Sequence, residues 1–219
     1  MKTDKVLQSE VIAELGWDPS IQSENIGVLV HEGIVTLTGN IPTYDQKMSS
    51  EKAARRVDGV RGIAEELNVE LKSTHKLNDN DIAQSATAAL AQNVSVSSSK
   101  INVTVENGSI NLGGQVDWNY QRQAALDAVR HLIGVKGVTN LIKVKNLGAS
   151  SEDIRESIGT ALKRNTAKEA KGIKIDVKDG KVTLIGNVKS WADRDDAASA
   201  AWSVPGVSTV ANFLLVVHS

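Results

Sequence analysis

The sequence predicts an α+β protein made of three tandem α-β-β-α-β units, each a small three-stranded mixed sheet covered on one face by two helices. Three observations predict it. First, three glycine columns repeat at fixed spacing: Gly33, Gly108 and Gly180 lie 75 and 72 residues apart, and Gly39, Gly114, Gly186 and Gly59, Gly134, Gly206 keep the same offsets. Self-similarity at a fixed period signals a repeated structural unit. Second, apolar residues fill the same columns without a gap over about 63 residues, from Leu7, Ile82 and Ile154 to Val69, Val144 and Val216. Third, within each unit the hydrophobic period changes from helical to alternating and back.

Each unit opens with a helix, because Leu7, Val11 and Leu15 recur at i, i+4 and i+8, as do Ile82, Ala86, Leu90 and Ile154, Ile158, Leu162. Asp79 and Asn80, or Ser150 and Ser151, stand where a cap is expected. Strict alternation follows in Ile26, Val28 and Val30, then a turn, then Val35 and Leu37. The turns read Glu32-Gly33, Asn107-Gly108 and Asp179-Gly180, two of them strong hairpin pairs. A second helix is expected over about 46–57, 121–132 and 193–204, with Ala53/Ala128/Ala200 and Val57/Leu132/Val204 facing inward. A Gly-Val turn then leads into a last alternating strand, which the β-α-β connection makes parallel to its partner. The expected units are 1–72, 78–146 and 150–219, joined by the short polar linkers 72–78 and 146–150. Units of about 65 residues bury little core alone, so neighbouring units are expected to touch.

These residues resemble the BON domain (bacterial OsmY and nodulation domain). The resemblance rests on the opening helix, the hairpins Glu32–Gly39, Asn107–Gly114 and Asp179–Gly186, the second helix, and the closing strand Gly206–Val216 with Asn212. The second closing strand carries Asn140 at the matching place, whereas the first departs with Glu65. The resemblance implies a non-enzymatic module linked with osmotic stress, cell-envelope integrity and phospholipid binding, and it supplies no catalytic motif or cofactor.

The 219 residues carry 25 basic and 26 acidic side chains, a formal net charge of −1, and no cysteine. Thiolate metal sites, disulfides and a cysteine nucleophile are thereby excluded. His31, His75, His131 and His218 form no His-x-x-x-His pair, and neither a phosphate-binding Gly-x-x-x-x-Gly-Lys loop nor a Gly-x-Ser-x-Gly nucleophile turn is present. Asp193, Asp195 and Asp196 fall at the start of a helix, where carboxylates favour the positive end of the dipole. Gly59-Val60-Arg61-Gly62 and Gly134-Val135-Lys136-Gly137 match the Gly-x-x-Gly of KH domains. That loop must join two helices to clamp phosphates, and here it is expected to run from a helix into a strand. No catalytic, metal or cofactor residue is therefore assigned.

The seven aromatic residues sit in columns that elsewhere hold polar residues. Trp17 aligns with Gln92 and Arg164, Trp202 with Arg55 and Arg130, and Trp118 with Thr43 and Ser190. Tyr120 aligns with Asp45 and Ala192, Tyr44 and Trp191 share a column with Asn119, and Phe213 aligns with Glu66 and Leu141. Such columns do not belong to the unit cores. Their aromatics either bury area between docked units or face a membrane interface or ligand. Trp118, Tyr120 and Trp191 are the preferred contact candidates.

Charge is uneven: residues 1–75 have net −4, residues 76–148 net +2 and residues 149–219 net +1. A basic run of Lys163, Arg164, Lys168, Lys171, Lys174, Lys178 and Lys181 is opposed within 163–181 only by Glu169, Asp176 and Asp179. It reads as a solvated face or as a weak attractor of anionic lipid headgroups, with Lys163, Arg164, Lys168 and Lys171 as lipid or partner contacts. Without interleaved aromatics it does not read as a nucleic-acid site. The leading expectation is peripheral phospholipid or envelope association, with a protein-interaction scaffold or a small-ligand or cation sensor as alternatives. No segment has the ~18 apolar residues of a membrane span. The N-terminus lacks a signal-peptide core, so the chain as written reads as cytoplasmic, or as periplasmic if a signal has been removed.

Overall fold

The computed structural model describes residues 2–71, 77–96, 98–146, 148–165 and 172–217, with the side chains of 163–165 outside the description. Unit one runs α1 (Asp4–Trp17), β1 (Ile26–His31), β2 (Ile34–Ile41), α2 (Tyr44–Arg56) and β3 (Gly62–Val69). Unit two repeats this as α3 (Asp79–Gln92), β4 (Ile101–Glu106), β5 (Ser109–Val116), α4 (Asn119–Arg130), β6 (Gly137–Asn140) and β7 (Lys143–Val144). Unit three is α5 (Ser151–Asn165), β8 (Lys174–Lys178), β9 (Lys181–Val188), α6 (Trp191–Trp202) and β10 (Thr209–Val216). The second helices thus begin two residues earlier than the sequence period suggests.

In every unit the second hairpin strand is central, antiparallel to the first and parallel to the last. The hairpin loops have two residues, both with positive φ: Glu32 49° and Gly33 77°, Asn107 51° and Gly108 80°, Asp179 51° and Gly180 73°. This is the mirror-image turn whose twist matches that of paired strands. A second glycine column meets a steric demand, since a Cβ on Gly39, Gly114 or Gly186 would collide with the carbonyl oxygen of Asn25, Lys100 or Gly172.

The first helix is fastened to the hairpin through its opening turn. Asp4 accepts hydrogen bonds from the N–H groups of Glu32 (2.9 Å) and Gly33 (3.1 Å). Asp79 does the same for Asn107 (2.8 Å) and Gly108 (2.9 Å). Asp79 is therefore not the cap: Asn78 accepts from the Asp81 N–H at 2.9 Å and starts the helix, leaving the Asp79 carboxylate for the turn. Ser150 does cap α5, accepting from the Asp153 N–H at 3.1 Å. Unit three has Ser151 where the others have Asp, and there Asn146 donates to the Asp179 carbonyl instead at 2.9 Å.

One residue column of the third strand ties it to the second helix in each unit. Asn140 and Asn212 accept from the N–H two residues on, at Ile142 (3.2 Å) and Leu214 (3.1 Å), and donate to the carbonyls of Arg122 and Arg194 on the second helix. Glu65, the departure in unit one, also accepts from the N–H two residues on, at Leu67 (2.7 Å). Having no amide to donate, it reaches the second helix through an ion pair with Lys47 at 2.8 Å. In unit two the strand is broken at Leu141-Ile142 into β6 and β7, and both pair with β5.

Each unit has its own aliphatic core. Leu7, Leu15, Val35, Leu37 and Ala54 fill the first, Ile82, Leu90, Ile110, Leu112 and Val129 the second, and Ile154, Ile158, Val182, Leu184 and Ala201 the third. Each fully buried Leu, Ile or Val contributes about 1.5–3 kcal/mol. Small alanines on the second helices let them lie close to the sheet.

Candidate interaction surfaces

The second helices carry most of the aromatic columns, and their caps explain one of them. Thr43 accepts from the Gln46 N–H at 3.2 Å, and Ser190 accepts from the Asp193 N–H at 3.1 Å while Asp193 reaches back to the Ser190 N–H. Their counterpart is Trp118, which offers no side-chain acceptor; Gln121 instead accepts from the Asp117 and Trp118 N–H groups, each at 3.1 Å. The column is a helix N-cap, and unit two has given up its capping hydroxyl for an indole that remains exposed.

The three second helices meet end to end. At the start of α6 the Trp191 indole Nε1 donates to the Val60 carbonyl at 2.9 Å, and its ring lies under the Arg55 guanidinium at 4.9 Å near the end of α2. At the start of α2, Asp45 lies 3.0 Å from His131 Nδ1 and 4.0 Å from Arg130 Nε at the end of α4. In the first turns of α4, Arg122 stacks over Trp202 at 5.0 Å, at the end of α6. The contacts close a head-to-tail triangle. Tyr44 packs against the cores of units one and two, and Trp202 against those of units two and three. Burial raises the Tyr44 phenol above its ordinary value of 10.0, with the Val138 backbone partly offsetting it. Burial likewise lowers the Arg122 guanidinium pKa. Between the helices lies a cleft of about 340 Å³ lined by Asp45, Met48, Glu51, Arg55, Arg130 and Asp195 among others.

The predicted contact residues therefore separate. Trp191 belongs to a junction between units, because its N–H and its ring face both have partners there. Trp118 and Tyr120 are exposed on unit two. Lys163 and Arg164 lie near the end of α5, and Lys168 and Lys171 lie outside the described residues, as do His75 and His218. Lys174, Lys178 and Lys181 project from the sheet of unit three on the face away from its helices.

Sequence reasoning missed what shares that face. In β9 and β10 the residues Val182, Leu184, Val188 and Leu214 are buried, so the alternate residues Ile185, Phe213 and Leu215 point the other way. They are 45%, 64% and 65% exposed. The register places Lys174, Ile185 and Phe213 in one row across the sheet. The signal was present in strand parity, since residues two apart share a face, but it could be used only once strand pairing was known.

Other candidates resolve as structural. Asp193 closes the α6 capping box. Gly62 and Gly137 each open a strand directly after a turn from a helix, so neither Gly-x-x-Gly joins two helices. Among the described residues no group of three or more His, Asp or Glu is placed to hold a metal ion, and no helix is long and apolar enough to cross a membrane.

Known proteins place the chain. The model of the BON domain matches residues 3–70, 78–146 and 150–218. A 21 kDa hemolysin of Actinobacillus pleuropneumoniae is 31% identical over 150 residues, covering 65% of this chain and 73% of that protein. Osmotically-inducible protein Y of Escherichia coli is 27% identical over 146 residues, 65% of this chain and 73% of its own length. The outer membrane lipoprotein DolP of Haemophilus influenzae is 27% identical over 143 residues, 64% of this chain and 74% of its own. With three matches spanning nearly all of its length, each on one structural unit, the chain belongs to the BON domain family.

Proposed function

We propose that this protein is a non-catalytic three-unit module that associates peripherally with anionic phospholipid at the cell envelope during osmotic or envelope stress. The observation that carries the reading is BON-family membership along the whole chain, with relatives named as an osmotically inducible protein and an outer membrane lipoprotein. The lipoprotein's name also favours an envelope location over a cytoplasmic one. Basic side chains close to an anionic surface each contribute about 1 kcal/mol of attraction, and unit three concentrates them. The test is co-sedimentation of the full chain with phosphatidylglycerol-containing vesicles at low salt. Pelleting that weakens with salt supports the reading, and no pelleting by a folded protein overturns it.

A second reading, a protein-interaction scaffold, is favoured by the charged cleft at the meeting of the second helices and by the exposed Trp118, which stands where the other units have a capping hydroxyl. A pull-down that survives high salt and is lost with Trp118→Ala would favour it over lipid association.

A further inference from the structure

We propose that the open face of the third sheet is the membrane-contacting surface, with Phe213, Leu215 and Ile185 entering the headgroup boundary and Lys174, Lys178 and Lys181 lying against anionic headgroups. The inference rests on the phospholipid reading and assigns it a site. Its first support is geometry. The three lysines and three apolar residues lie on one face of one rigid sheet, opposite the face packed on α5 and α6. The lysines occupy the β8 edge and the neighbouring end of β9, and the apolar residues lie across β9 and β10, with Asp176, Thr183 and Ala211 in the row between Lys181 and Ile185 and Asn187 beside Leu215.

The second support comes from the sister units, which share the fold and not the chemistry. Phe213 corresponds to Leu141 and Glu66, Leu215 to Lys143 and Asn68, and Ile185 to Gly113 and Thr38. Lys174 corresponds to Asn102 and Gly27, Lys178 to Glu106 and His31, and Lys181 to Ser109 and Ile34. Eight of these twelve counterparts are polar, two are glycine and two, Leu141 and Ile34, are exposed aliphatics, so the lysines, Phe213, Leu215 and Ile185 are not needed together to build the sheet. Exposed apolar area that the fold does not require marks a contact surface.

The third support selects the occupant. Asp176 is the one acidic residue among the strand residues of this face, which leaves it net positive on a chain whose total charge is −1. Phe and Leu beside Lys is the combination that settles into an anionic lipid interface, with ring and alkyl groups at the acyl boundary and amines among the phosphates.

The test uses the absence of cysteine from the chain. Phe213→Cys and Thr104→Cys, the latter on the open face of unit two, are each labelled with an environment-sensitive NBD dye and mixed with vesicles of equal phosphatidylglycerol and phosphatidylcholine. In parallel, vesicle partitioning of the unlabelled protein is compared with Phe213→Glu/Leu215→Glu and with Lys174→Gln/Lys178→Gln/Lys181→Gln. All these side chains are exposed, and an unchanged circular dichroism spectrum verifies folding. The expected result is a blue shift at position 213 and none at 104. Partitioning should fall at least tenfold in the double Glu variant, and preference for phosphatidylglycerol should be lost in the triple Gln variant. Wild-type binding with the double Glu variant within twofold, or a shift at 104 and not at 213, overturns the site while leaving the phospholipid reading intact. Failure of the wild type to bind overturns both. A concentration-dependent shift at 213 without vesicles, matched by a dimer in sedimentation that the double Glu variant dissolves, would assign the face to a second copy of the chain and overturn the proposal.

Discussion

Trp191 and Val60, 131 residues apart, are joined by a hydrogen bond of 2.9 Å from the indole Nε1 to the backbone carbonyl. It ties unit three to the turn that leads into the last strand of unit one. Replacing Trp191 by Phe keeps a ring under Arg55 and removes the bond. A net loss of about 1 kcal/mol is expected, seen as a fall in Tm of about 2–4 °C for a chain of this size. Trp191→Ala should cost more, about 2–3 kcal/mol, by also removing the packing.

Gly186→Ala should be strongly destabilising. Gly186 has φ 146°, and its Cβ would collide with the Gly172 carbonyl oxygen, a backbone atom two residues before β8. The expected loss is about 2–4 kcal/mol, measured by urea unfolding. The change should fall on unit three, with amide exchange in α1 and β1 unaltered.

Glu32→Asn should stabilise the first unit. Glu32 holds φ 49°, where Cβ crowding costs an ordinary residue roughly 1–2 kcal/mol and Asn is better tolerated. Asn107 occupies the matching place in unit two at φ 51°. A gain of about 0.5–1 kcal/mol in chemical denaturation is expected, the usual return from relieving one strained backbone position.

Trp118→Ser should also stabilise while removing a candidate contact. Serine would restore the cap that Ser190 provides in unit three, worth about 1 kcal/mol. A variant with a higher Tm and a weaker pull-down would separate the structural role of this column from a binding role.

Alkaline stability should report on Tyr44. Burial raises its phenol in the folded chain, so the fold holds this proton more tightly than the unfolded chain does. Its contribution is fully present below the ordinary value of 10.0 and is lost as pH rises through the folded value. Urea midpoints between about pH 9 and pH 11 should decline less steeply for Tyr44→Phe than for the wild type.

Much of the fold was legible because its signals are local. Helical spacing in Leu7, Val11 and Leu15, alternation in Ile26, Val28 and Val30, and the Asn107-Gly108 turn each act over a few residues, and the repeat states them three times. The cap was misplaced by one residue at Asp79 because a carboxylate at a helix start suits a cap equally well; only its distance to Asn107 and Gly108 shows its use. The aromatic columns showed that Trp191 and Trp202 lie outside the unit cores, and not which neighbour they meet. Likewise the basic run was visible as charge, whereas its adjacency to Phe213 depends on β10 pairing with β9 at an offset of 28 residues.

The triangle of second helices also limits assembly. Each helix offers a starting end and a finishing end, and the starting end of one engages the finishing end of another. Such head-to-tail contacts polymerise when the rotation between neighbours does not close, and terminate when it does. Here the circuit is complete within a single chain. Covalent linkage in one polypeptide acts as the stoichiometric stop, and removing one unit would expose two complementary ends for exchange between chains.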